Sequence, residues 1–279
     1  MTTTAAGSLR DFAGTIVLVG AGKMGSAMLD GWLGLGLAPA RVAVIEPEPS
    51  PEIAALAARG LKLNPDRHAV RDPAVIVIAV KPQVAGEVVP ATASWVGPSS
   101  VVVSIMAGQR LASLERALPG GTAVVRSMPN TPAAVGRGIT VAVANPQVTA
   151  PQRDLAGRLL AAIGAVEWVA DEAMLDAVTA VSGSGPAYVF LLAETLAQAG
   201  AAAGLPPDLA GRLARATVAG SGELLYRSTL DAETLRRNVM SPGGTTVAAL
   251  EVLMDKDGLA PLMRRAVAAA TRRSRELAG

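Results

Sequence analysis

The rhythm of hydrophobic and polar positions changes once along this chain, near residue 170 of 279. Before that point, short apolar runs alternate with segments of helical spacing. The runs are "TIVLVG" (15–20), "RVAVIE" (41–46), "AVIVIAV" (74–80), "SVVVSIM" (100–106), "TAVVRSMP" (122–129) and "GITVAVA" (138–144). Near-continuous β-branched runs of this length mark strands buried on both faces. Between the first runs, "KMGSAMLDGWLGLG" (23–36) has the spacing of a helix, and "PEIAALAARG" (51–60) opens with Pro and closes with Gly, as helices do. Alternating strands and helices predict an α/β domain built on a parallel sheet covered on both faces.

From about Asp171 the strand pattern stops. "DEAMLDAVTAV" (171–181) reads as helical, and "PAYVFLLAETLAQAGAAAG" (186–204) as a long helix apolar almost all round. Further helices fit 207–226, 231–239, 245–254 and 258–276. The expected organisation is therefore an α/β domain over 1–170 and an all-α domain over 171–279. A helix apolar on every side needs burial on most sides. A domain of about 110 residues has little interior to offer it. The second domain is accordingly expected to dimerise by intertwining with a copy of itself.

One interruption in the helical half stands out. "MSPGGTTVAAL" (240–250) places Pro242, Gly243 and Gly244, all poor helix residues, before a resumed helical pattern. A helix start with free N–H groups binds anions. Ser241, Gly243, Gly244, Thr245 and Thr246 supply backbone N–H groups and hydroxyls for one.

The first strand leads into "VGAGKMG", with Gly20, Gly22 and Gly25 in G-x-G-x-x-G spacing. That spacing is informative here because it follows a strand and opens a helix, as in a Rossmann-type dinucleotide-binding domain. Gly20 permits a tight turn, Gly22 lets backbone approach a pyrophosphate, and Gly25 lets helix and strand pack closely. Ala21, Lys23 and Met24 complete the loop. Glu46 ends the second strand, where an acid binds the adenosine ribose hydroxyls and repels a 2′-phosphate, which favours NADH. Arg67, in "NPDRH", is either a 2′-phosphate anchor that would favour NADPH or an ordinary solvated charge. "AVKPQ" brings Ala79, Val80, Lys81 and Pro82 to a strand end, where ligands of such sheets bind; Lys81 is a cofactor contact or a plain strand-end charge. "SIMAG" offers Ala107 and Gly108 for close approach to a nicotinamide ring.

Composition removes several chemistries. The chain has no Cys and one His, so thiolate nucleophiles, disulfides and multi-His metal sites within one chain are excluded, and no metal is expected. His68 lies in a polar stretch and reads as a surface residue. A net charge of +2 gives no case for nucleic acid, and "RRSREL" near the end reads as a solvated helix end. "MTTTAAGSLRDFAG" lacks a signal-peptide pattern, and the longest uncharged run, 88–109, is broken by Pro and Gly. No membrane association is expected, and the cytoplasm is the expected location.

Six motifs in this order resemble pyrroline-5-carboxylate reductases: "GAGKMG", "AVKP", "SIMAG", "RSMPNTP" (126–132), "AVSGSGPAY" (180–188) and "NVMSPGGTT" (238–246). The last is the most specific, and the likeness extends over nearly all the chain after residue 14. The family commonly has Asn where Lys23 stands, a change outside the backbone groups that hold phosphate. The resemblance implies a dinucleotide-binding domain followed by a helical dimerisation domain. It implies reduction of 1-pyrroline-5-carboxylate to L-proline with NADPH or NADH, the last step of proline biosynthesis. It further implies a homodimer, commonly assembled into a decameric ring, with the active site between one subunit's cofactor domain and the helices of the dimer. Carried over by residue, Thr246 stands against the imine nitrogen, Thr245 and Gly244 help hold the carboxylate, and Asn238 and Glu172 match further substrate contacts. Glu172 is equally an acid in the first turn of a helix. A protonated imine is already a good electrophile, which suits a chain with so few acid–base residues. Reductases of a six-membered cyclic imine, and a non-catalytic NAD(P) sensor, are the competing readings.

Overall fold

The computed structural model describes residues 7–277. The first six residues, part of the stretch without a signal-peptide pattern, lie outside the described residues. Compact packing separates the chain into two units, one running to Gly183 and taking in the chain from Thr271, the other Ser184–Ala270.

The first unit is built on one eight-stranded sheet. Its strands are β1 (Ile16–Val19), β2 (Val42–Ile45), β3 (Lys62–Leu63), β4 (Val75–Ile78), β5 (Val101–Ser104), β6 (Ala123–Met128), β7 (Gly138–Ala144) and β8 (Gly164–Trp168). Its helices are α1 (Lys23–Gly34), α2 (Pro51–Leu56), α3 (Ala85–Thr92), α4 (Leu111–Ala117), α5 (Ala150–Ala161) and α6 (Met174–Val178). The strand order is β3-β2-β1-β4-β5-β6-β7-β8. Alternate residues of each strand serve opposite faces. Ile16, Leu18, Val75 and Val77 join a core with Met28, Leu29 and Trp32 of α1 and Leu159 and Leu160 of α5. Val17, Val19, Ile76 and Ile78 join the opposite core with Val89 of α3 and Leu114 of α4. This two-sided burial is why the strands carry no polar face.

The sheet departs from the all-parallel expectation at one junction. β1 to β6 pair in parallel, but β7 runs antiparallel to β6, with Met128 opposite Val141, and β8 follows β7 in parallel. The reason is the length of the link. Only residues 129–137 join β6 to β7, and a parallel crossover needs a dozen or more residues, usually with a helix. β3 and β8 also escape the sequence pattern: β3 has two residues, and β8 ("GAVEW") carries Glu167.

The strands stop at Trp168, close to the expected boundary, but the unit does not. Leu175 and Val178 of α6 pack on Val141, Val143 and Met128 of the sheet. α6 then continues as a π-helical turn, Thr179–Gly183. The final turns of the chain belong to this unit for a similar reason: the Ser274 hydroxyl, on a residue 8% exposed, donates to Asp176 Oδ1 at 2.7 Å. "RRSREL" is therefore anchored on one side rather than wholly solvated. Arg275 Nε lies 3.8 Å from Asp176 Oδ2, while Arg272, Arg273 and Arg275 are all exposed and Arg273 pairs with Glu276.

The second unit holds α7 (Gly185–Ala202), α8 (Pro207–Arg227), α9 (Ala232–Asn238), α10 (Thr245–Leu253) and most of α11 (Leu259–Leu277). None of the residues of α7 is buried in the single chain. Phe190 is 67% exposed, Leu191 56% and Leu192 53%, and Leu224, Tyr226 and Val252 are likewise exposed. Contiguous apolar exposure of this kind marks an association surface. By length and composition alone, Met174–Ala202 is also apolar enough to cross a membrane, with a mean hydropathy of 1.3.

Candidate active site

The strand order reverses between β1 and β4, the position where ligands of doubly wound sheets bind. Both strands end there in the residues singled out from the sequence. Val19 leads into Gly20, whose φ of 90° suits glycine, and Ala79 N–H donates to Val19 O at 2.7 Å. A Cβ on Gly20 would lie 2.8 Å from Ala79 O. One on Gly25 would lie 2.2 Å from Gly20 O. These two glycines are required by the protein's own packing.

Gly22 is different. Its φ of −66° is open to any residue, and a Cβ there would meet nothing within 4 Å. Neither backbone nor packing accounts for glycine at this position, whereas a pyrophosphate laid against the backbone does. Gly22 is also the N-cap of α1, and no side chain caps it. The first N–H groups of a 12-residue helix are left for an anion. Lys23 is exposed beside them and Met24 is half-buried. The loop thus fits a dinucleotide.

A cleft of about 600 Å³ opens beside this loop. Gly20, Gly22, Glu46, Ala79, Val80, Lys81, Val88 and Trp95 are among the residues that line it. Glu46 is fixed on several sides. Its Oε2 accepts from Ala21 N–H at 2.8 Å, and its Oε1 from Glu48 N–H at 3.2 Å. Its backbone makes a reciprocal pair with the Asn64 side-chain amide, 2.8 Å in each direction. Lys81 is exposed, and half-buried Pro82 starts the 3-10 turn that leads into α3. Ala107 and Gly108 follow β5 and are half-buried, and Gly108 has a φ of 74°. Arg67 is not brought to the cleft. It opens the exposed 3-10 turn Arg67–Ala69 and forms no part of the wall. His68 lies on the same exposed turn, its N–H donated to Asp66 Oδ1.

Glu172 has protein partners of its own. Its Oε1 accepts from Arg126 Nη1 and from Leu111 N–H, each at 2.7 Å. The Arg126 side chain is 7% exposed and that of Glu172 26%. The carboxylate therefore neutralises a buried guanidinium of β6 and caps the start of α4. It lies in the first unit, whereas the "SPGGTT" residues lie in the second. Arg126 itself went unremarked in the sequence except as a letter of "RSMPNTP".

In the second unit, α9 ends at Asn238, which is exposed, and the chain turns through Val239–Gly244 into α10. Gly243 takes a φ of 66°, and Gly244 N–H donates to Ser241 O at 2.9 Å. Gly244 is the N-cap of α10 and has no side-chain cap, so Thr245 and Thr246 are its first two residues. Their N–H groups belong to the set a helix cannot bond internally. Ser241 and Thr245 are exposed and Thr246 is half-buried. The loop is preformed around glycines and presents hydroxyls beside a helix N-terminus. A Cβ on Gly244 would push on the rotatable Ser241 hydroxyl and lie 3.0 Å from Ser241 O, so the turn leaves little room for a side chain there.

These features define a class first: a dinucleotide-binding oxidoreductase fold with a separate helical association unit. Residues 15–108 match the family model described as NADP oxidoreductase coenzyme F420-dependent, and residues 172–277 match pyrroline-5-carboxylate reductase dimerisation. A pyrroline-5-carboxylate reductase of Pseudomonas aeruginosa is 41% identical over 94% of this chain and 96% of its own length. The structure of the enzyme from Coxiella burnetii superposes with a TM-score of 0.87 at 32% identity, covering 95% of this chain and 99% of that one. The Plasmodium falciparum enzyme, solved with NADP bound, gives a TM-score of 0.79 at 28% identity over 96% and 99% of the two chains. The chain belongs to the pyrroline-5-carboxylate reductase family.

Proposed function

We propose that this protein reduces 1-pyrroline-5-carboxylate to L-proline with NAD(P)H, the final step of proline biosynthesis. The family membership supports this reading, and so does the intact "NVMSPGGTT" turn before α10, with its free helix N-terminus. The bound cofactor supplies the hydride for the imine carbon. The protein supplies placement. Gly20, Gly22 and the N-terminus of α1 hold the pyrophosphate, and Ala107 and Gly108 leave room for the nicotinamide ring.

The N–H groups at the start of α10 receive the substrate carboxylate, with Ser241, Gly243, Gly244 and Thr245 shaping the cradle. Asn238 borders it. Thr246 orients the ring nitrogen through its hydroxyl; a threonine hydroxyl is too weak an acid to be the main proton source. No strong acid is needed when the imine enters protonated.

The active assembly is a homodimer, supported by the dimerisation family match and by the uncovered apolar side chains of α7. A partner helix, rather than a lipid bilayer, is the occupant this reading gives to α7. Assembly of dimers into a decameric ring extends the proposal on family resemblance, as does a location in the cytoplasm with the reduced dinucleotide pool.

The test is to mix purified protein, reduced cofactor and pyrroline-5-carboxylate and to follow nicotinamide absorbance. Imine-dependent oxidation of the cofactor is expected. Absence of turnover with both cofactors would remove the reading.

A further inference from the structure

We infer that the cleft selects NADH over NADPH, and that Glu46 is the residue that determines the choice. This rests on the dinucleotide reading of the cleft given above. The end of β2 is where such folds meet the adenosine ribose. A carboxylate there accepts hydrogen bonds from ribose hydroxyls, whereas a 2′-phosphate brings only acceptor oxygens and a charge of about −1.5 to −2.

An acid at this position can be evaded if its side chain swings away. Glu46 is not free to do so. Ala21 N–H holds one oxygen and Glu48 N–H the other, while Asn64 clamps its backbone from both sides. Asn64 is itself set in the left-handed region, with a φ of 44°, and its own N–H donates to Val44 O at 2.8 Å. Each Glu46 oxygen still has a lone pair for a ribose hydroxyl.

An acid can also be offset by a cation in the cleft wall, and among the described residues of that wall only Lys81 is one. The loop "EPEPS" (46–50) adds a second carboxylate, Glu48, and no positive charge. Arg67, the residue that could have anchored a 2′-phosphate, is outside the cleft wall. Lys81 is the one cation of that wall, and Glu46 and Glu87 are its acids. Lys81 follows β4, Glu46 follows β2, and β1 lies between those strands. Two strand spacings, about 10 Å, separate their backbones. At the β2 side of the cleft the charge of the wall is the Glu46 carboxylate.

Calorimetric titration of the purified protein with NADH and with NADPH, without imine, tests this. NADH is expected to bind tighter by roughly tenfold or more. Glu46→Gln keeps an oxygen for Ala21 N–H but removes the charge. It should strengthen NADPH binding and narrow the ratio to about threefold, with circular dichroism confirming the fold. Equal or tighter NADPH binding by the wild-type protein overturns the inference, as does an unchanged ratio in Glu46→Gln. If NADH binds but no imine is reduced, the proposed function fails while this inference stands. If neither dinucleotide binds, both fall.

Discussion

The two glycines Gly22 and Gly25 stand three positions apart in one loop, yet alanine at each should fail in a different way. At Gly25 the added Cβ would lie 2.2 Å from Gly20 O, a backbone atom that cannot rotate aside. Overpacking of this kind costs up to about 3 kcal/mol. Alanine recovers about 1 kcal/mol of helix propensity, because Gly25 is in the first turn of α1. The net loss is about 2 kcal/mol, or a fall of about 4–8 °C in Tm for a domain of this size. At Gly22 the new methyl meets no protein atom within 4 Å and the φ of −66° is unstrained. Its Tm should stay within about 2 °C of wild type or rise slightly. The methyl instead enters the space assigned to the pyrophosphate, and dinucleotide affinity should fall about tenfold or more, equivalent to ~1.4 kcal/mol. Thermal melts by circular dichroism, with fluorescence titration of reduced cofactor, separate the two effects. Wild-type affinity in Gly22→Ala would refute the pyrophosphate cradle. An unchanged Tm in Gly25→Ala would refute its packing role.

Thr246→Ala should lower kcat about tenfold or more with the melting curve intact, and Thr246→Ser should restore most of the rate; equal kcat in wild type and Thr246→Ala would exclude a role for the hydroxyl. Glu172→Gln leaves the buried Arg126 without its counter-charge. Because Glu172 is itself 26% exposed, we expect a loss of about 2–3 kcal/mol rather than the full cost of a buried pair, read from urea denaturation, and a smaller change than 1 kcal/mol would contradict the structural role. Asp231 caps α9 by accepting from Thr234 N–H, which lowers its pKa from the ordinary value of 3.8. That stabilisation is present above the unfolded-state value and is lost as pH falls through the lowered folded-state value, so Tm against pH should flatten over that acid range in Asp231→Asn. Phe190→Glu places a charge on the bare apolar face of α7. Light scattering should show at least twice the chain mass of 28.1 kDa for wild type and a shift towards the single chain for the variant, and equal masses for the two would place the interface elsewhere.

Which features could be read before the structure follows from the range of the forces involved. β1, β4 and β5 are buried on both faces, so their Val and Ile runs carry the whole signal locally. α7 was readable from its all-round apolar pattern, and the large apolar side chains it leaves uncovered beside α8 fit the second copy expected from the sequence. The reversed β7 lay hidden in a loop length, nine residues that admit no crossover helix, rather than in any hydrophobic pattern. The compact first unit runs past the expected boundary to Gly183 because α6 packs on Val141 and Val143, a contact no local pattern shows. In the site, Gly20, Gly22, Gly25 and Glu46 were visible by spacing, since loop and strand end are consecutive in the chain. The Arg126–Glu172 pair was not, because its partners are 46 residues apart and join only when β6 and the start of α6 meet. Arg67, read from the sequence either as a phosphate anchor or as a solvated charge, stands on an exposed turn after β3 and is not part of the cleft wall.

The central claim is that this chain moves a hydride from a nicotinamide to the carbon of one small cyclic imine. The most direct measurement uses reduced cofactor deuterated at both C4 positions, with pyrroline-5-carboxylate and purified protein, and mass spectrometry of the product. The account predicts L-proline carrying a single deuterium at C5, formed in step with cofactor oxidation. Proline without deuterium, or cofactor oxidised with no proline formed, would contradict it.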